Sequence, residues 1–164
     1  MNHSTLKQSQ ANKLIFLGMF LFLLGLVVGL LVPMFANPRM GVSSHIEGVM
    51  NGMFLIVLGL IWNKLILSKG WLKASFWLAI YGTFANWFGI LVAAIFNAGK
   101  MLNVMANGQE GPAFAESIVG FSLISLTVSM LLVSVVILIG LRRYIKQNHE
   151  TNKSIFEREL AANG

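Results

Sequence analysis

Cysteine is absent from this chain of 164 residues. That removes disulfides, thiolate metal ligands and a cysteine nucleophile together. Charge is scarce as well: Asp, Glu, Lys and Arg make up 11% of the residues, against 56% hydrophobic ones. A soluble domain carries about 25% charged residues to cover its water-facing surface, so a soluble enzyme, a disordered chain and a coiled coil are excluded. Also missing are G-x-S-x-G, a phosphate-binding loop, a dinucleotide fingerprint and H-E-x-x-H. No internal repeat or low-complexity tract stands out. What the chain does have is long apolar runs and a mean hydropathy of +0.74, the composition of a membrane protein.

A membrane helix needs about 20 predominantly apolar residues. Leu14 to Phe35 supplies 22 without a charge and stops at the breakers Pro33, Asn37, Pro38 and Arg39. The second run, Ile46 to Leu67, carries Glu47, Asn51, Asn63 and Lys64; the third, Leu72 to Phe96, carries Lys73 and Asn86. The fourth, Ile118 to Leu141, is polar only through Ser and Thr and is closed by Arg142 and Arg143. These runs predict an all-α, polytopic four-helix transmembrane bundle over residues 14–141, flanked by tails 1–13 and 142–164. The gap from Asn97 to Ser117 is the one loop long enough to hold a small structured element. The first run is expected to be a retained span: its apolar stretch exceeds the about 7–15 residues of a cleaved signal, and Phe35-Ala36 is a poor cleavage site.

The net charge of +6 does not point to nucleic acid, because the basic residues form no stripe interleaved with aromatics. Their placement reads as topology. Ten of them (Lys7, Lys13, Lys64, Lys69, Lys73, Arg142, Arg143, Lys146, Lys153 and Arg158) share one side, and only Arg39 and Lys100 lie on the other. Basic residues stay in the cytoplasm, so both termini are expected there, with the chain a multi-pass protein of the cytoplasmic (inner) membrane.

Polar groups at membrane depth are costly and face a bundle interior or a cavity. His45, Glu47 and Asn51 at the outer end of span two and Asn86 in span three are expected to line one cavity opening toward the outer half of the bilayer. His45 is the only imidazole outside the polar tails. One His with Glu47 is too small a set for a non-haem iron, zinc or copper site, whereas haem needs a single axial side chain. Gly48 and Gly52 follow His45 along one helix face and leave either a flat surface for a porphyrin or room for a neighbouring helix; His45 itself is either an axial ligand or an interfacial His bonded to a neighbour. Glu47 and Asn51, four apart, are within mutual reach, the carboxylate being a proton donor or acceptor or a group exposed among the headgroups. Gly25 and Gly29, with Gly18 a heptad earlier, favour close helix packing. Ser122, Ser125, Thr127 and Ser129 read as interhelical hydrogen-bond donors.

The run His45-Ile46-Glu47-Gly48-Val49-Met50-Asn51-Gly52-Met53, with Asn37-Pro38-Arg39-Met40-Gly41 before it and Phe84-Ala85-Asn86-Trp87 in span three, resembles the hydroxylaminobenzene mutase family. The wider relatives are the styrene oxide isomerases, small four-helix membrane enzymes with a similar His, five residues, Asn-Gly-Met. The resemblance extends over roughly Leu14 to Leu141. It implies an isomerase that moves the hydroxyl oxygen of an arylhydroxylamine from nitrogen to the ortho carbon, giving 2-aminophenol. It further implies haem b held through His45, Asn51 in the substrate pocket, and a homotrimer with haem between subunits. Where the isomerases have a pocket Tyr four residues after the Asn matching Asn86, this chain has Ile90, a departure that weighs against epoxide chemistry.

On that reading the iron is a Lewis acid toward the N–O oxygen. Asn51, Asn86 and Trp87 hold the developing positive charge in a site closed to water, and Glu47 relays the ring proton. Two alternatives stand beside it: a haem-dependent epoxide isomerase of the styrene oxide isomerase type, and a small oligomeric transporter using Glu47 as its coupling carboxylate. A Soret band lost in His45→Ala separates the haem enzymes from the transporter.

Overall fold

In the computed structural model, which describes residues 2–162, the apolar runs are four helices long and apolar enough to cross a membrane. No strand occurs among the described residues. Helix α1 is His3–Leu31 and tightens into a 3-10 turn at Val32–Met34 ahead of α2, Pro38–Ile61. Helix α3 is Lys69–Phe96, α4 is the single turn Asn103–Ala106, and α5 is Ala113–Ala162. The small element expected between Asn97 and Ser117 is α4 with the 3-10 turn Lys100–Leu102 before it.

Several boundaries differ from the apolar runs, three of them for a clear local reason. α1 starts at His3 because the Asn2 side chain caps it, accepting from the His3 N–H at 2.7 Å. Its polar first turns stay helical, and Gln10 is buried there, accepting from the indole N–H of Trp62 at 3.2 Å. α2 starts eight residues before Ile46 because Pro38 occupies the first helical position and the Asn37 side chain accepts from the Met40 N–H at 3.2 Å. α5 runs on past Arg143 to Ala162 on exposed polar residues, with Lys146–Glu150 and Lys153–Glu157 pairs one turn apart.

α1 and α2 meet backbone to backbone. A Cβ on Gly18 would stand 2.7 Å from the Gly52 carbonyl, and one on Gly48 2.6 Å from the Gly25 Cα. The glycine spacing of span one therefore works within the chain, where small residues admit a close approach. α3 and α5 are joined differently. Gly82 and Gly89 receive Met130 and Ser122, Ser129 donates to the Leu78 carbonyl at 2.9 Å, and Ser125 pairs with the Tyr81 hydroxyl at 2.6 Å. Of the expected span-four donors Thr127 bonds only its own helix, at the Leu123 carbonyl, and the Ser122 hydroxyl packs at Gly89 with no hydrogen bond to a described residue.

Trp62, Leu14, Leu21, Leu55, Leu65 and Leu72 are fully buried in a cluster that reaches the α2–α3 turn, and alanines of α3 and of the α3–α5 loop pack with Met40 and Val119 in a second cluster toward the opposite end. The remaining apolar side chains, such as Phe16, Leu30 and Phe121, stand exposed on the outside of the helices, as lipid-facing positions require. Among the described residues α5 packs on α3 and on short turns, never on α1 or α2. α1, α2 and α3 thus all touch one another, with α5 added on α3 alone among the long helices, and α2 meets α1 and α3 on different faces.

Candidate active site

Glu47 is the hub of the polar cluster. Its Oε2 accepts the Nδ2–H of Asn51 at 3.1 Å, one turn along α2, and the Nδ2–H of Asn86 at 2.5 Å, across the α2–α3 contact. The i,i+4 spacing brings the first pair together; the second forms because α2 and α3 run in opposite directions and place the two residues at one depth. All three are half-buried. A carboxylate among apolar helices is tolerated when amide donors satisfy it. Among the described residues no protein hydrogen bond reaches Glu47 Oε1 or either amide oxygen Oδ1. Nor are these oxygens sealed in: among the described residues the only fully buried side-chain nitrogen or oxygen atoms without a partner are Ser75 Oγ and the Trp87 indole nitrogen.

His45 lies elsewhere, which corrects the expectation of one cavity. Two residues along a helix turn through about 200°, so Glu47 faces α3 while the imidazole of His45 lies against α1. Its Nδ1 is 2.8 Å from the Gly25 carbonyl. A carbonyl only accepts, so Nδ1 carries the proton and Nε2 keeps its lone pair. The ring fits there because position 29 has no side chain; a Cβ on Gly29 would stand 2.7 Å from Nδ1. The imidazole borders a cavity of about 540 Å³ on the outside of the α1–α2 pair, lined by Leu26, Gly29, Leu30, Val32, Pro33 and Val42. An apolar wall beside one imidazole nitrogen with a free lone pair suits axial ligation of a haem. Among the described residues no group of three or more His, Cys, Asp or Glu is placed to hold a bare metal ion.

Gly48 and Gly52 do not form the flat surface expected beside that imidazole. Both are covered by the backbone of α1, and Gly48 also meets the Trp87 indole. They are packing residues, and the glycine that serves His45 is Gly29. Trp87 stands outside the hydrogen-bonded cluster: its indole packs against Gly48, its N–H is buried without an acceptor, and it borders a separate aromatic cavity of about 680 Å³ between α3 and α5, walled by Tyr81, Phe84, Phe88 and Phe121. Ile90 is buried on α3.

Two supporting features were not read from the sequence. Ser44, fully buried, donates to the Trp87 carbonyl at 3.3 Å and pins α2 to α3 beside the cluster; a small residue next to His45 was its only signal. At the start of the α3–α5 loop Asn97 ends α3 in the left-handed conformation, φ 54°, where its side chain accepts from Asn37 at 2.8 Å and donates to Gln109. An Asn after an apolar helical run is the signal for such a cap.

The styrene oxide isomerase family model matches residues 10–142. Hydroxylaminobenzene mutase HabB of Ectopseudomonas oleovorans is 53% identical over 133 residues, 80% of this chain and 81% of that protein. Hydroxylaminobenzene mutase HabA of the same organism is 48% identical over 127 residues, 77% of this chain and 94% of that protein. No solved structure matches the chain. Four membrane-competent helices, two of which meet at a carboxylate–amide cluster, in a chain this similar to mutases, make it a membrane-embedded isomerase. It belongs to the styrene oxide isomerase family.

Proposed function

We propose that the protein converts hydroxylaminobenzene and related arylhydroxylamines to 2-aminophenols by intramolecular transfer of the hydroxyl oxygen. The observation that carries this is the 53% identity to a hydroxylaminobenzene mutase across 80% of the chain. His45 would hold haem b through Nε2, the nitrogen left free by the Gly25 hydrogen bond. When bound, the haem supplies a Lewis-acidic iron that weakens the N–O bond. The chain's own residues do the rest. Asn51 and Asn86 turn amide oxygens toward the nitrogen and ring as positive charge develops there. Glu47 takes the ortho ring proton lost on rearomatisation. The apolar walls keep water from the ring, where it would add at the para carbon instead.

A centre that uses both His45 and the Glu47 cluster needs two copies of the chain, because the two lie on opposite sides of α2. That supports a homotrimer in which each imidazole faces a neighbour's cluster. Both termini are assigned to the cytoplasm and the chain to the cytoplasmic membrane, on the placement of the ten basic residues; reporter fusions after Lys69 and Lys146 should report cytoplasm, and one after Met105 the outside.

The deciding experiment incubates the purified protein with hydroxylaminobenzene in oxygen-18 water. The expected product is 2-aminophenol with almost no label, from a protein showing a Soret band. Heavy incorporation of solvent oxygen would refute intramolecular transfer.

A further inference from the structure

Ser122 stands out among the hydroxyls of its stretch of α5. Ser117, Ser125, Thr127 and Ser129 each donate to a backbone carbonyl, the first three on α5 itself and Ser129 on α3. Ser122 is only 7% exposed, yet its hydroxyl packs at Gly89 with no hydrogen bond to a described residue. Its oxygen is not sealed in, for among the described residues the fully buried unpartnered atoms are Ser75 Oγ and the Trp87 nitrogen. Ser122 lines the aromatic cavity between α3 and α5, beside Tyr81, Phe84, Phe88 and Phe121. A hydroxyl in hydrocarbon is tolerated mainly where it finds a partner, and the space left for one is that cavity.

The walls describe the partner. They carry aromatic rings and no charged group, so they receive a flat, neutral ring by stacking or edge contact. About 680 Å³ is ample for one substituted ring. Phe88 and Phe121 stand exposed, so a ligand dissolved in the bilayer enters from the side. Phe84 and Phe88 are each two residues from Asn86, about 200° around α3. The cavity therefore lies on the face of α3 turned away from the carboxylate–amide cluster. We propose that it is a second binding site, entered from the lipid, for a neutral monocyclic aromatic whose nitrogen or oxygen substituent pairs with Ser122. This goes beyond the arylhydroxylamine reading and stands or falls separately from it. A hydroxyl both donates and accepts, so aromatic amines and phenols fit alike. A lipid acyl chain or an apolar helix of a second copy would fill the volume and leave Ser122 unpaired.

The test irradiates the purified full chain in lipid nanodiscs with 3-azidoaniline, a photoreactive neutral aromatic amine, and maps the label by peptide mass spectrometry. Label should concentrate on the peptides of α3 and α5 that carry Tyr81, Phe88 and Phe121. Excess aniline should protect them, and cyclohexanol should not. Ala85→Leu, which puts bulk into the cavity, should remove the label. Ser122→Ala keeps the volume and loses the hydroxyl. It should weaken protection by aniline about fivefold relative to protection by toluene, the effect of one net hydrogen bond. Asn86→Ala, across the helix, should leave the labelling as it is. If Ala85→Leu does not fold, the Ser122→Ala ratio decides. Label spread evenly over the lipid-facing helices, or an unchanged aniline-to-toluene ratio in Ser122→Ala, overturns the proposal. Labelling that needs the assembled protein to be dissociated first would give the cavity to a second copy, and overturns it equally.

Discussion

The two sides of helix α2 handle polarity in opposite ways. On the α1 side a single imidazole is held by a backbone carbonyl, among glycines that bring two helices into backbone contact. On the α3 side a carboxylate gathers two amides, and side chains alone do the holding. The first arrangement is rigid because its partner is a helix backbone that cannot rotate. The second depends on three side chains that can each adopt other rotamers, and it stays ordered only while the carboxylate is present. A polar group can be fixed at membrane depth by main chain or by a mutual side-chain cluster, and this chain uses one of each about half a helical turn apart.

His45→Ala should break the first side completely. Soret absorption and turnover are both expected to fall to background while the protein remains in the membrane, and full haem retention would remove His45 as the ligand. The next experiment asks whether the two sides meet in a neighbour. Co-expressing His45→Ala and Asn86→Ala chains, each inactive alone, should restore roughly a quarter of wild-type activity, since an interface draws its two halves at random from the mixture. No recovery would place both halves in one chain.

Gly25→Ala is expected to lower stability by about 1–3 kcal/mol, the usual cost of overpacking, because its Cβ would stand 2.7 Å from the Val49 backbone nitrogen; thermal unfolding in detergent measures it. Asn37→Ala, which loses the cap on α2 and the link to Asn97, should cost about 1 kcal/mol. Smallest, and of opposite sign, Gly70→Ala should stabilise by about 0.5–1 kcal/mol, since nothing lies within 4 Å of that Cβ and alanine is the better helix former. A loss at Gly70 as large as at Gly25 would mean that close contact is not what sets the cost at these glycines.

Much of the fold was legible because burying backbone in hydrocarbon leaves few options: four predominantly apolar stretches of sufficient length had to be helices. Their ends were not, because hydropathy stops at the membrane and hydrogen bonding does not. Asn2 and Asn37 as caps, and the paired charges after Arg143, carry α1, α2 and α5 beyond the apolar residues. The Glu47–Asn51 contact followed directly from spacing four, and the Asn86 bond from equal depth in antiparallel spans. The error over His45 came from weighing depth without direction: residues 45 and 47 are neighbours along the axis and nearly opposed around it. Gly48 and Gly52 were ambiguous because a glycine face admits a helix and a flat ligand equally, and only the position of α1 decides.

Gly25 performs two tasks with one residue: its missing side chain lets α2 approach, and its carbonyl receives the His45 proton. The Nδ1 proton therefore sits at the seam between α1 and α2 and is shielded for as long as that seam stays shut. Its exchange with deuterium is then a clock for the parting of one helix pair. Followed by nitrogen-15 spectroscopy on a single labelled histidine, it would time the breathing of the seam separately from any motion of α3 and α5.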